Sequence, residues 1–202
     1  MTAVAVSTAR PFPPAEHRGR PVGWWGVMML ILTEGTLFIG LLASYFFLWA
    51  GSPHWPQGGI EAPELFRISI FTVILLSSSI PILVAEWANR RGKMQLVLAM
   101  LLVAFVMGAA FLANQVFEYR DLHFGWRDNA YAAIFYTITG LHGLHVLLGL
   151  LMNMVVQTKG RVGRLARRND ISVEVFSLYW HFVDGVWILV FASLYVIAHF
   201  LT

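Results

Sequence analysis

Apolar residues in this chain run on continuously instead of alternating, and five of the runs are long enough to cross a bilayer. They cover about 22–49, 65–87, 96–117, 130–156 and 173–200. The shortest, 96–117, spans about 33 Å at roughly 1.5 Å per residue, against a hydrocarbon core near 30 Å. Lipid offers no partner for backbone N–H and C=O groups, and runs without alternation do not describe barrel strands, so each run reads as a helix. The fold class is therefore all-α: a polytopic membrane bundle of five transmembrane helices. The first run is too long for the apolar part of a signal peptide, about 7–15 residues, and a mixed Pro/Arg/His stretch precedes it, so it reads as a retained helix. Residues 1–20, with Pro11, Pro13 and Pro14, read as a flexible arm, and 21–202 as one five-helix domain. In the second helix Ser77-Ser78-Ser79 precedes Pro81, which predicts a kink with serine hydroxyls serving the freed backbone groups.

Composition agrees. Apolar residues make up 58% and Asp, Glu, Lys and Arg 12%, against about 45–50% and 25% in soluble domains. With no cysteine, the chain has no disulfide, no thiolate metal site and no cysteine nucleophile. The net charge of +3 does not mark a nucleic-acid binder, because the basic residues are sorted by loop. Arg10, Arg18 and Arg20 precede the first helix. Arg90, Arg91 and Lys93 follow the second, and Lys159, Arg161, Arg164, Arg167 and Arg168 follow the fourth. Only Arg67, Arg120 and Arg127 fall on the other side. The positive-inside rule then puts the N-terminus in the cytoplasm and the C-terminus outside, as an odd number of spans requires.

Candidate chemistry lies in the polar groups inside the spans, since an ionisable side chain at mid-helix costs about 2.5–3.5 kcal/mol on insertion scales. Glu34 shares its helix interior with no Lys or Arg, so it reads either as a proton-handling or partner-contacting carboxylate, or as an acid hydrogen-bonded to a neighbouring helix. Gln115 and Glu118 share one face near the end of the third helix, where solvation alone would account for Glu118. His142 and His145 share a face of the fourth helix, and Gly140, Gly143 and Gly149 would let another helix approach it closely. His181 and Asp184 are three residues apart in the fifth helix, and Glu86 reads as an interfacial partner of Arg90. A di-iron site needs Glu-x-x-His on two helices and two more carboxylates, which the chain does not supply. A haem held between His142 or His145 and His181 stands as an alternative, beside the plainer reading of histidines hydrogen-bonded between packed helices. No phosphate loop, nucleophile elbow or H-E-x-x-H motif is present, and the halves do not read as an inverted transporter repeat.

The run Tyr136-Thr137-Ile138-Thr139-Gly140-Leu141-His142-Gly143-Leu144-His145, followed by Tyr179-Trp180-His181-Phe182-Val183-Asp184 and Trp187, resembles the cytochrome c oxidase subunit III family of haem-copper terminal oxidases. Glu34 with Phe38 and Tyr45-Phe46, Trp55-Pro56 with Gly59-Ile60, and Glu118-Tyr119 add to the resemblance, which runs from about Trp24 to Leu201. Many members have seven spans; this chain looks like the last five, the bacterial form, lacking the helix pair that completes a lipid-filled cleft. Gly185 and Glu86-Trp87 depart from the common pattern. The resemblance implies a non-redox accessory subunit of a bacterial plasma-membrane oxidase that binds no haem, copper or metal itself. Haem and copper would belong to partner subunits, with subunit I the main contact, subunit II in the same complex, and phospholipid bound structurally. It implies that Glu34 is the family's intramembrane carboxylate and that Glu118, His142, His145, His181 and Asp184 fasten helices three to five together. A bo-type quinol oxidase subunit, or the related protein associated with nitric-oxide reductase, stays open beside cytochrome c oxidase. So does a stand-alone transporter or proton channel.

Overall fold

The computed structural model describes residues 20–60, 65–165 and 170–201. The expected arm, 1–20, lies outside them except for Arg20. Among the described residues, five helical spans are long and apolar enough to cross a membrane. The first is α1, Val22–Ala50. The second is α2, Leu65–Ser77, continued by α3, Ser79–Arg90. The third is α4, Met94–Asp121, and the fourth is α5, Ala130–Arg161. The fifth is α6, Ile171–Phe191, followed by a π-helical turn, Ala192–Ile197, and α7, Ala198–Leu201.

Three of these spans extend past their apolar runs, because helical hydrogen bonding continues into polar residues such as Arg90, Asp121 and Arg161. Side-chain caps fix two starts. Asn129 accepts from the Ala132 amide at 2.8 Å, and Asp170 accepts from the Ser172 amide at 2.8 Å. The expected break before Pro81 falls at Ser78, whose hydroxyl donates to the Leu75 carbonyl at 2.6 Å. The neighbouring Ser79 hydroxyl leaves the backbone altogether and reaches Asp184. Ser78 thus bonds back onto its own span, while Ser79 ties two spans together.

The second to fifth spans close a ring. The second packs on α4, α4 on α5, α5 on α6, and α6 returns to α3. α1 lies outside that ring against α5 and α6, and only 11% of its most apolar window is buried, against 50% for the fourth and fifth spans. At the ring's centre Trp180 is fully buried. Its indole N–H donates to Ser78 Oγ at 2.9 Å, and its ring fills the space that side chains at Gly108 and Gly149 would need. A Cβ there would sit 2.6 and 2.8 Å from the ring. One indole thus fixes the separation of four spans.

This changes the expectation for the glycines. Gly149 is sterically required, but what it admits is an indole from the fifth span. A Cβ at Gly140 or Gly143 would lie 3.6 Å from Tyr119 or 3.7 Å from Leu112, which is ordinary contact. Gly108, in an unremarked run of α4, carries the tightest demand.

Candidate functional site

The ionisable groups inside the spans do not gather into one network. They occupy separate places, and two of these tie a pair of spans together by hydrogen bonds.

The first joins α1 to α5. His145 Nδ1 lies 2.8 Å from the Leu141 carbonyl of its own helix. A carbonyl can only accept, so Nδ1 carries a proton. Nε2 lies 3.2 Å from Glu34 Oε2, and it either accepts from the acid or donates to the carboxylate. Both arrangements place one proton between the two atoms. Phe38 packs edge-on to His145 at 5.2 Å, and the Tyr179 hydroxyl donates to the His145 carbonyl at 3.1 Å. The two readings of Glu34 thus acquire a geometry: an intramembrane carboxylate whose partner is an imidazole of another span.

The second joins α3 to α6. Ser79 Oγ donates to Asp184 Oδ2 at 2.6 Å and lies 3.0 Å from His181 Nδ1. A serine has a single hydrogen, so while the Asp184 carboxylate accepts it His181 donates through Nδ1. His181 Nε2 and Asp184 Oδ1 are buried without a hydrogen-bond partner. One turn toward the basic end, Ser177 donates to Glu86 Oε2 at 3.2 Å, and Glu86 forms the expected pair with Arg90. Deeper along α6, the Trp187 indole donates to Thr72 Oγ1 at 3.0 Å.

The third lies at the far end of α4. Glu118 is buried, which corrects the expectation of simple solvation. The physical reason is the π-helical turn, which brings Tyr195 inward to face Glu118 and Gln115. Glu118 Oε2, the Tyr195 hydroxyl and both Gln115 amide atoms close no hydrogen bond.

His142 belongs to none of these. It stacks on Trp187 at 4.6 Å, with Phe111 at 6.0 Å and Phe38 at 6.5 Å around it, and both nitrogens lack partners. The histidine pair of α5 therefore splits, since neighbours three residues apart point about 60° apart around a helix of 3.6 residues per turn. His145 reaches α1 and His142 reaches α6. Both His145 nitrogens are engaged, and three aromatic rings surround His142. Among the described residues no group of three or more His, Cys, Asp or Glu is placed to hold a metal ion.

Sequence reasoning missed Thr72, Tyr195 and Asn153, and for Ser78 and Ser79 it missed the partners on the fifth span, Trp180 and Asp184. Asn153, fully buried, donates to the Leu101 carbonyl of α4 at 3.1 Å and accepts from Gln157 at 2.7 Å. The signal for it was available, since a buried Asn in an apolar helix needs a partner.

The whole pattern can be set against known proteins. The model of the family described as cytochrome c oxidase subunit III matches residues 21–199. The chain belongs to this family. It is 36% identical over 200 residues to cytochrome c oxidase subunit 3 of Thermostichus vulcanus, covering 98% of this chain and 96% of that protein. It is 35% identical to cytochrome c oxidase subunit 3 of Synechocystis sp., covering 95% and 83%. It is 33% identical to cytochrome bo(3) ubiquinol oxidase subunit 3 of Pseudomonas aeruginosa, covering 85% and 83%. Subunit III membership and a five-span bundle thus go together in this chain.

Proposed function

We propose that this chain is the non-redox accessory subunit III of a haem-copper terminal oxidase, with cytochrome c oxidase the complex it serves. In this reading it packs on subunit I, with subunit II in the same assembly, and supports proton uptake and the endurance of oxygen reduction. Haem and copper reside in those partners. The observation that carries the reading is the family match across 21–199, joined to a set of ionisable side chains that are spent on ties between spans. Basic residues gather at one end of the bundle, which favours an N-terminus in the cytoplasm of a bacterium and a C-terminus outside. The resemblance to a ubiquinol oxidase subunit supports a second reading in which the electron donor to the complex is a quinol.

A structural phospholipid belongs to the same proposal. An open groove of about 530 Å³ runs between α1, α5 and α6. Leu30, Leu151 and Val155 line it, and Lys159 and Ser172 stand at one end, 3.1 Å apart. That combination suits a phospholipid whose acyl chain lies in the groove and whose headgroup phosphate meets the lysine.

Purification from native membranes through a tag on this chain tests the assignment. Co-purification of a larger haem-containing partner, with no Soret absorbance from the chain once separated, is expected. A Soret band in the separated chain, lost in His142→Ala or His181→Ala, would replace the assignment with a haem-carrying protein. Proton flux through liposomes holding this chain alone, abolished by Glu34→Gln, would replace it with a channel.

A further inference from the structure

We propose that the seam between α3 and α6 is a blind proton well: His181 Nε2 takes one proton from the basic end, and Asp184 stores it. The inference rests on the geometry of the seam and goes beyond the accessory-subunit reading.

The polar groups along the seam are ordered. Ser177, His181 and Asp184 lie on one face of α6, four and three residues apart. Opposite them on α3 stand Glu86 and Ser79. The row begins at Glu86, which is 19% exposed and paired with the two-thirds exposed Arg90, so its outer end meets water. It continues through Ser177 and ends at Asp184, which is 5% exposed. One link is open. Glu86 is the charged group facing His181, yet His181 Nε2 is buried without a partner. In the resting polarity Nδ1 holds the imidazole proton, so Nε2 is a bare acceptor. Nε2 is therefore where a proton coming from the Glu86 end enters the row.

The bonds show how a proton crosses. At rest, His181 Nδ1–H donates to Ser79 Oγ, and Ser79 Oγ–H donates to the Asp184 carboxylate. When a proton from bulk solvent joins Nε2, the Nδ1–H bond breaks and its proton joins Oγ. The original Oγ–H bond breaks and that proton joins Oδ2. The result is a neutral Asp184 that donates to Ser79, a Ser79 that donates to Nδ1, and a neutral imidazole carrying its proton on Nε2. Charge balances: one proton enters and one carboxylate is neutralised. The imidazole does not rotate, and reversal empties the well. A carboxylate held in hydrocarbon by one hydrogen bond is costly, so the site has a reason to take the proton. Other titratable groups on the packed elements have other neighbours: Glu34 on α1 pairs with His145 on α5, Arg67 on α2 with Asp121 at the far end of α4, Glu118 faces Tyr195, and His142 stacks on Trp187.

The test uses the full chain in lipid nanodiscs. Infrared spectra across a pH jump should contain a carboxylic-acid band that is absent from Asp184→Asn. Its formation should slow roughly a hundredfold in Ser79→Ala, the low end of what a positioned proton-transfer group contributes, and recover in Ser79→Thr. A second readout needs no altered seam: in the ¹⁵N-histidine-labelled wild type, His181 (assigned by its loss in His181→Gln) should change from the Nδ1–H to the Nε2–H tautomer as the band grows. Overturning results are an Asp184 band that forms equally fast in Ser79→Ala, a His181 tautomer that stays fixed while Asp184 protonates, or the absence of any titrating band assignable to Asp184.

Discussion

At the residue scale, what governs this bundle is the space around one indole. Trp180 lies against Gly108 and Gly149 at distances no Cβ tolerates, while Gly140 and Gly143 leave room. Gly108→Ala should therefore lower stability by about 1–3 kcal/mol, the usual cost of overpacking a filled core, whereas Gly140→Ala should be close to neutral. Thermal unfolding of the two variants in the same detergent checks this; equal midpoints would mean the ring can move aside. Glu34→Gln makes a different point. The amide can still donate to His145 Nε2 but has no proton to exchange, so assembly should stay near normal. The rate at which the complex loses activity during turnover should rise, and an unchanged lifetime would reduce the carboxylate to a hydrogen-bonding group.

The element scale is where the sequence was most readable and also where it stopped. Five spans could be read because lipid demands long apolar helices, and the break near Pro81 was readable from proline chemistry. Helix ends were not, since hydrogen bonding at 88–90, 118–121 and 157–161 outlasts the apolar run. Nor was the π-helical turn at Ala192–Ile197, which has no local marker and yet decides that Glu118 faces a tyrosine instead of water. Glu34 and Asp184 stood out as expensive, but their partners His145 and Ser79 are 111 and 105 residues away. No periodicity joins positions so distant. Two predictions belong here. Asp184→Ala leaves the buried Ser79 hydroxyl without its acceptor, a loss of about 1–3 kcal/mol, and should reduce the amount of assembled complex on native gels; wild-type amounts would count against its role as a tie. Asn89 and Asp170 hold each other by two bonds, Nδ2 to the Asp170 carbonyl at 3.0 Å and the Asp170 amide to Oδ1 at 3.2 Å. Asn89→Ala should speed amide hydrogen exchange at the start of α6, and exchange at the wild-type rate would show that the cap alone holds that end.

The whole molecule combines a ring of four spans, an outer first span that the ring barely buries, and polar ties that set the register of the spans they join. Each tie is worth little, since hydrogen bonds in membranes average about 0.6 kcal/mol, so together they choose one arrangement among many apolar packings. The Glu34–His145 tie matters most in this respect, because α1 has few buried side chains of its own. A double-mutant cycle on Glu34→Ala and His145→Ala, read as unfolding free energy of the chain in bicelles, measures that tie directly. The account predicts a favourable coupling of about 0.6–1.7 kcal/mol. Additive single effects, with no coupling between the two positions, would contradict it.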